Sequence, residues 1–192
     1  MTAGTTLVED AVLEREYGEG WEFHRDHMDP DGEMGRLLRA QLFAYCTPSD
    51  FVGHRVLDFG SGEGGSAFIM SSLLPESGIV GVELNATQVE RATRLARSAG
   101  RAVTFRCSPR GTELPPDLGT FQFIMLSAVY EHLLPEERRE VLPRLWAHLN
   151  VGGILFVNQT PHRWFPYEHH STGLWGINYL PNGLAMRATR FA

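Results

Sequence analysis

The chain contains no lysine; all 17 of its basic residues are arginine. Schiff-base catalysis and a P-loop lysine are therefore excluded. Basic charge is scarce, with 17 basic against 23 acidic residues and a net charge of −6. Binding to nucleic acid rests on a basic footprint, and the composition offers none, so no nucleic-acid partner is expected. Cysteine is scarcer still. Cys46 and Cys107 lie far apart and form no CxxC motif. They read as two reduced, part-buried thiols of a cytosolic protein, not a disulfide framework. No apolar run approaches the ~18 residues needed to cross a membrane. The first twenty residues lack a basic n-region and an apolar h-region, so they do not read as a secretory signal. The expected location is the cytoplasm. No repeat of solenoid period and no low-complexity tract is found.

What is present suffices for one globular domain. A chain of 192 residues, 43% hydrophobic and 21% charged, can bury roughly 70% of its unfolded surface. It needs no disulfide or metal staple. Residues 1–32 are polar but carry Trp21, Phe23, His24, His27 and Met28. Met34, Leu37, Leu38, Leu42 and Tyr45 recur at helical spacing, which predicts an amphipathic helix over 33–46, stopped by Pro48. Residues 1–48 are thus read as an N-terminal arm and helix. Residues 49–160 form a core, and 161–192 a C-terminal segment.

Strands and helices alternate through the core. Arg55–Phe59 reads as a short strand that runs into Gly60-Ser-Gly-Glu-Gly-Gly65. A helix follows over about 64–74, then a strand at Gly78–Glu83. Asn85 stands three residues before Gln88, an N-cap signal for a helix to about Ala99. Ala102–Arg106 and Phe121–Ser127 read as the next strands. Pro135, Glu136 and Glu137 open a helix to about Leu149. Asn150–Gly153 is read as its end, and Ile154–Asn158 as a fifth strand. This alternation implies a parallel sheet with helices on both faces. Ligands of such sheets sit at the carboxyl ends of the strands.

The glycine loop and the acid of the next strand form an ordered set. Glycines let the backbone turn tightly and come close to a ligand. Glu83 can accept from the two ribose hydroxyls of an adenine nucleoside. Gly60, Gly62 and Gly65 satisfy the GxGxxG spacing of NAD enzymes. However, Asp58 stands two residues before Gly60. A carboxylate there repels a pyrophosphate and attracts the sulfonium and ammonium groups of S-adenosylmethionine. At an effective dielectric of 20, charges ~4 Å apart interact by ~4 kcal/mol before desolvation. The sign of that interaction favours S-adenosylmethionine.

Val56-Leu-Asp-Phe-Gly-Ser-Gly-Glu-Gly64 resembles the first motif of class I S-adenosylmethionine-dependent methyltransferases. Gly81-Val-Glu-Leu84 is similar to the second motif. The segment from Phe121 to Leu133 is similar to the fourth-strand motif of the small-molecule branch, and Leu149–Leu155 to the approach to strand five. The resemblance covers roughly residues 50–160. It implies a Rossmann-like doubly wound α/β fold with five parallel strands in the order 3-2-1-4-5. It implies that Asp58, Gly60, Ser61, Gly62 and Gly64 surround the methionine part of S-adenosyl-L-methionine. Glu83 would bind the ribose, Leu84 would pack on the adenine, and Ser127 would line the site. Where the family has an acid after strand three, Cys107-Ser108-Pro109 stands instead, and Ser108 is the substitute. Strand four carries Gln122 where an Asp is usual. The family also adds a helix and two antiparallel strands after strand five. Residues beyond Thr160 offer no convincing strand pair, only a loop and a short helix near 182–191. Truncation is the favoured reading.

The acceptor side is less well marked. Glu131 and His132 follow strand four, where the resemblance places the methyl-transfer pocket. The loop Pro161–His170 carries His162, His169 and His170 beside Arg163, Glu168 and three aromatics. A histidine of ordinary pKa suits removal of a proton from an oxygen or nitrogen acceptor. His132 with Glu131 is the first candidate, and His169 and His170 come next. Irregular spacing argues against a metal. The aromatic arm before residue 30 is a candidate lid. The expected activity is methyl transfer to a small-molecule acceptor. A non-catalytic cofactor-binding or interaction module, or an inactive fragment, is the alternative. An NAD oxidoreductase ranks third.

Overall fold

A computed structural model describes residues 8–160, 166–168 and 173–188. The chain divides into two compact units, residues 1–158 and 159–192. The first begins with three helices, α1 (Asp10–Tyr17), α2 (Trp21–Met28) and α3 (Glu33–Leu42). A 3-10 turn at Pro48–Phe51 leads into the alternating core. That core runs β1 (Arg55–Phe59), α4 (Gly65–Leu73), β2 (Gly78–Glu83), α5 (Ala86–Ser98) and β3 (Val103–Cys107). It continues with β4 (Phe121–Ser127), α6 (Pro135–Ala147) and β5 (Leu149–Asn158).

Five parallel strands pair in the order β3-β2-β1-β4-β5. This is the order that the resemblance implied. The central strands β1 and β4 are apolar runs buried on both faces, as parallel sheets require. Alternation along them separates two cores. Val56, Phe123 and Met125 pack with Leu42, Phe68 and Leu95 of the helices on one side. Leu57, Phe59, Ile124 and Leu126 pack with Val141 and Leu145 of α6 on the other. Period-two geometry puts Asp58 on the same face as Val56, beneath α4.

Helix α5 starts where its cap dictates. The Asn85 side chain accepts from the Thr87 and Gln88 backbone N–H groups at 3.0 and 3.4 Å. Replacing Asn85 by alanine is expected to lower stability by about 1 kcal/mol. The denaturant midpoint measures it, and an unchanged midpoint would show that water satisfies those N–H groups equally well. At α6 the Glu137 carboxylate reaches back to the Leu134 N–H at 2.7 Å.

Two expectations are corrected here. Strand β5 begins at Leu149, not Ile154, and the segment Asn150–Gly153 lies within it. Phe121 already donates to the His148 carbonyl at 2.8 Å, and its register partner is Leu149. The register then shifts between Phe121 and Phe123, with Gly152 at φ 77°. The two glycines therefore make an irregularity inside a strand rather than a helix stop. Helix α3 also ends at Leu42, short of the expected 46, with its C-cap at Phe43.

The second unit holds β6 (Tyr167–Glu168), β7 (Leu174–Trp175), a 3-10 turn at Ile177–Tyr179 and α7 (Asn182–Ala188). The sequence offered no convincing strand pair here, yet a short one of two residues per strand is present. Strands β6 and β7 form an antiparallel pair, a separate sheet from the five-stranded one. Two-residue strands are too short for period-two alternation to announce them. The Tyr167 and Trp175 rings stand 5.2 Å apart across the pair. The C-terminal helix lies within the region expected for it.

Candidate functional site

The carboxyl ends of β1 to β4 bring Asp58, Glu83, Ser108 and Ser127 to one end of the sheet. Asp58 pairs in register with Gly81 and with Met125, at the centre of the sheet. Its side chain is buried, 1% exposed. Ser66, in the first turn of α4, donates its hydroxyl to Asp58 Oδ2 at 2.5 Å. Burial pushes the Asp58 pKa up to about 6. The Ser66 hydrogen bond opposes that rise, and the nearby Glu83 carboxylate adds to it. Among the described residues this buried carboxylate has one hydrogen-bond partner, a neutral hydroxyl, which leaves its charge short of compensation.

Glu83 is held in place by backbone. Its Oε1 accepts from the Leu84 and Asn85 N–H groups at 2.8 and 3.0 Å. Its Oε2 accepts from Gly62 N–H at 3.0 Å. Three amides thus orient one carboxylate, and each oxygen keeps acceptor capacity for a further donor. The Gly62 bond also ties the glycine loop to β2.

The loop glycines divide by role. A Cβ on Gly60 would lie 2.5 Å from Val129 Cγ2, and one on Gly64 2.7 Å from Phe105 Cζ. Both positions are packed against the protein itself. Gly62, at φ 52°, has nothing within 4 Å of the Cβ position. It is the loop position with open space, where a ligand can approach the backbone. The N–H groups of Gly60 and Ser61 are committed to the Val82 carbonyl at 2.8 and 3.1 Å. Ser61 is buried, and its Oγ faces Gly81 with no hydrogen-bond partner among the described residues.

Ser108 continues β3. Its N–H donates to the Glu83 carbonyl at 2.8 Å. Its hydroxyl lies within hydrogen-bond reach of the Arg110 carbonyl at 2.9 Å and of the Glu113 carbonyl. It therefore closes the loop that follows β3. Leu84 is 54% exposed, and its Cδ2 lies 3.9 Å from the Cβ position of Gly111 in that loop. Ser127 ends β4 opposite Asn158 of β5. The chain then turns through Ala128 at φ 54°, uncommon for a residue with a Cβ. This turn delivers the 3-10 segment Tyr130–His132. There the Glu131 side chain is 13% exposed and His132 70%, with 4.0 Å between Oε1 and Nε2. His162, His169 and His170 lie outside the described residues.

Sequence reasoning missed Ser66, Val129 and Phe105. Ser66 could have been found, because the first turn of a helix after a glycine loop faces the strand just left. Val129 and Phe105 carried no local signal; only the packed structure shows that they demand Gly60 and Gly64.

Residues 56–153, just over half of the chain, match the family described as a methyltransferase domain. The chain belongs to this methyltransferase family. A Pyrococcus horikoshii protein of known structure covers 71% of this methyltransferase-family chain at 22% identity, with a TM-score of 0.56. Coclaurine N-methyltransferase, solved with N-methylheliamine and S-adenosylhomocysteine, covers 67% at 19% identity and a TM-score of 0.54. At these identities the likeness is one of fold. An uncharacterised Synechocystis protein is 24% identical over 131 residues, 66% of this chain. The chain spans 26% of that relative's length, and 64% and 38% of the two structures.

Proposed function

We propose that the chain binds S-adenosyl-L-methionine and transfers its methyl group to a small-molecule acceptor. The observation that carries this reading is Asp58, a buried carboxylate beneath the glycine loop with one hydroxyl partner among the described residues. Such a group attracts a cation and repels a pyrophosphate, so it favours a sulfonium cofactor over a dinucleotide. Membership of the methyltransferase family supports the same choice. Bound there, S-adenosylmethionine would supply a methyl group on a positively charged sulfur with an excellent leaving group.

The chain's own residues then have separable tasks. Asp58 holds the cationic end. Glu83, pinned by three amides, accepts from the ribose hydroxyls. The open face of Gly62 admits the ligand to the backbone, and Leu84 offers apolar surface to the base. Gly60, Gly64 and Ser61 shape the loop, Ser108 holds the β3 loop, and Ser127 lines the end of β4. Alignment of the acceptor with the methyl group and exclusion of water are the remaining work. Glu131 and His132 are the proposed acceptor-side pair, one partly buried and one exposed to receive a proton. His169 and His170 remain candidates from their sequence alone.

No metal is part of the proposal. Among the described residues, no group of three or more His, Cys, Asp or Glu could hold one. Among them too, no helix is long and apolar enough to cross a membrane. A cytoplasmic location is part of the proposal, supported by two unpaired thiols.

Thermal unfolding with S-adenosylmethionine, S-adenosylhomocysteine and NAD in parallel tests this reading. A ligand at 100 times its Kd stabilises by ~2.7 kcal/mol. For a chain of this size that raises the midpoint by roughly 5–10 °C. A rise with both sulfur compounds and none with NAD is expected. A rise with NAD alone would make the chain a dinucleotide binder. Cofactor binding without methyl transfer to any acceptor would favour a non-catalytic module.

A further inference from the structure

Glu63 stands between Gly62 and Gly64 in the glycine loop, yet its carboxylate is engaged with neighbours outside the loop. Its Oε1 accepts from Arg91 of α5 at 2.5 Å, and its Oε2 lies 3.1 Å from His24 Nδ1 of α2. All three side chains are largely shielded, at 21, 27 and 29% exposure. The His24 ring stacks on Tyr17 of α1 at 3.6 Å between centroids, with the planes 7° apart. Arg91 lies over the same Tyr17 ring at 4.9 Å. Glu63 is therefore the acid at the centre of a Tyr17–His24–Arg91 cluster drawn from three helices.

Further contacts fasten the same helices. Arg94 of α5 makes a two-pronged pair with Glu16 of α1, its shortest distance 2.7 Å. That bond holds Glu16 below the usual carboxylate range. The end of α2 also abuts the start of α4, where a Cβ on Gly65 would lie 2.9 Å from the His27 carbonyl oxygen. Burial keeps the His24 imidazole below its usual range, consistent with a neutral ring donating from Nδ1. Hydrogen bonds to a shielded carboxylate are stronger than neutral ones and fix direction as well as distance.

We propose that Glu63 is a positioning residue through which α1 and α2 set the conformation of the cofactor loop. Cofactor affinity then depends on the docking of residues 10–28, although Glu63 touches no cofactor. Two short segments connect the latch to the ligand surface. Gly62, next to Glu63, carries the open backbone face and the amide that holds Glu83. Gly64, on the other side, donates to the Ser61 carbonyl at 2.8 Å. A shift of Glu63 displaces both. The inference rests on the cofactor reading given above, and it extends the site to a segment outside the family-matched residues 56–153.

Calorimetric titration of the whole chain with S-adenosylhomocysteine, paired with amide hydrogen exchange, tests it. Glu63→Ala is expected to raise Kd at least tenfold. Glu63→Gln, which can still accept from Arg91, should raise it less. Arg94→Ala loosens α1 without touching the loop and should raise Kd severalfold. In the wild type, the ligand should slow exchange across residues 10–28, and in Glu63→Ala that slowing should be lost. A purely structural role predicts a lower unfolding midpoint with Kd unchanged, and that result in folded Glu63→Ala or Glu63→Gln would overturn the proposal. If the wild type binds neither sulfur compound, the cofactor reading itself fails. Exchange in the ligand-free protein still decides the latch: unaltered rates over 10–28 in Glu63→Gln and Glu63→Ala would overturn it independently.

Discussion

Replacing Asp58 by asparagine is expected to stabilise the fold and to weaken cofactor binding in the same step. The folded protein binds the Asp58 proton more tightly than the unfolded chain, because burial raises the pKa from 3.8 to about 6. The sign follows from linkage. Stability falls as pH rises from about 4 to about 6, and the full penalty persists above that. At about 1.4 kcal/mol per tenfold change in proton affinity, the ionised carboxylate costs ~3 kcal/mol at neutral pH. Asparagine keeps the shape and can still accept from Ser66, but it carries no charge. The unfolding midpoint of Asp58→Asn should therefore exceed that of wild type at pH 7.5 by up to roughly 6–12 °C, and the gain should vanish near pH 4. Affinity for S-adenosylmethionine should fall by about 1.5–3 kcal/mol, the range for a hydrogen bond to a charged group. Wild-type affinity should weaken as pH drops below about 6, as Asp58 takes up its proton. A variant with normal affinity would remove Asp58 from the site. A variant with no gain in stability would show that the buried charge is already compensated. A functional acid that destabilises its own fold is the trade-off expected where binding needs an uncompensated charge.

Gly62→Ala and Gly64→Ala should fail in opposite ways. At Gly64, φ is +89° and a Cβ would meet the Phe105 and Phe68 rings at 2.7 and 3.2 Å. Overpacking of about 1–3 kcal/mol adds to left-handed strain of about 1–2 kcal/mol. Gly64→Ala is thus expected to lose roughly 2–5 kcal/mol of stability, read from the denaturant midpoint. At Gly62, φ is +52° and the Cβ position is open. Only the left-handed strain applies there, about 1–2 kcal/mol, so the fold should survive. The new methyl group nonetheless fills the space through which a ligand reaches the backbone. Kd for S-adenosylmethionine should rise at least about tenfold, equal to 1.4 kcal/mol. Normal binding by Gly62→Ala would move the ligand to another face of the loop. A stable Gly64→Ala would mean that Phe105 can swing away.

Much of this site was legible residue by residue. Asp58, the glycine loop and Glu83 follow one another at the spacing of strand, turn, helix and strand, and local chemistry is enough to read them. The cap at Asn85 and the start of α6 at Pro135 were legible for the same reason, since each is decided by its own few neighbours. The start of β5 was not. Two glycines before an apolar run look like a loop, and only pairing with Phe121 makes Leu149 part of the strand. The division of labour among the loop glycines was also hidden, because Val129 and Phe105 are far from them in sequence. The contacts around Glu63 were hidden for the same reason. Tyr17 and His24 lie well before it and Arg91 well after, and no periodicity links the four.

The order of strands and helices, the parallel sheet and the choice of Asp58 and Glu83 as candidate acids came from the sequence alone. They depend on local pattern: apolar runs, helix caps, glycines and charges at fixed offsets. The tertiary structure decided what those residues experience. It buried Asp58 and raised its pKa, pinned Glu83 with three amides, and left Gly62 as the loop position with open space. It also brought α1, α2 and α5 together around Glu63. Desolvation, close packing and charge pairing act through space, so a linear pattern names the participants but not their surroundings.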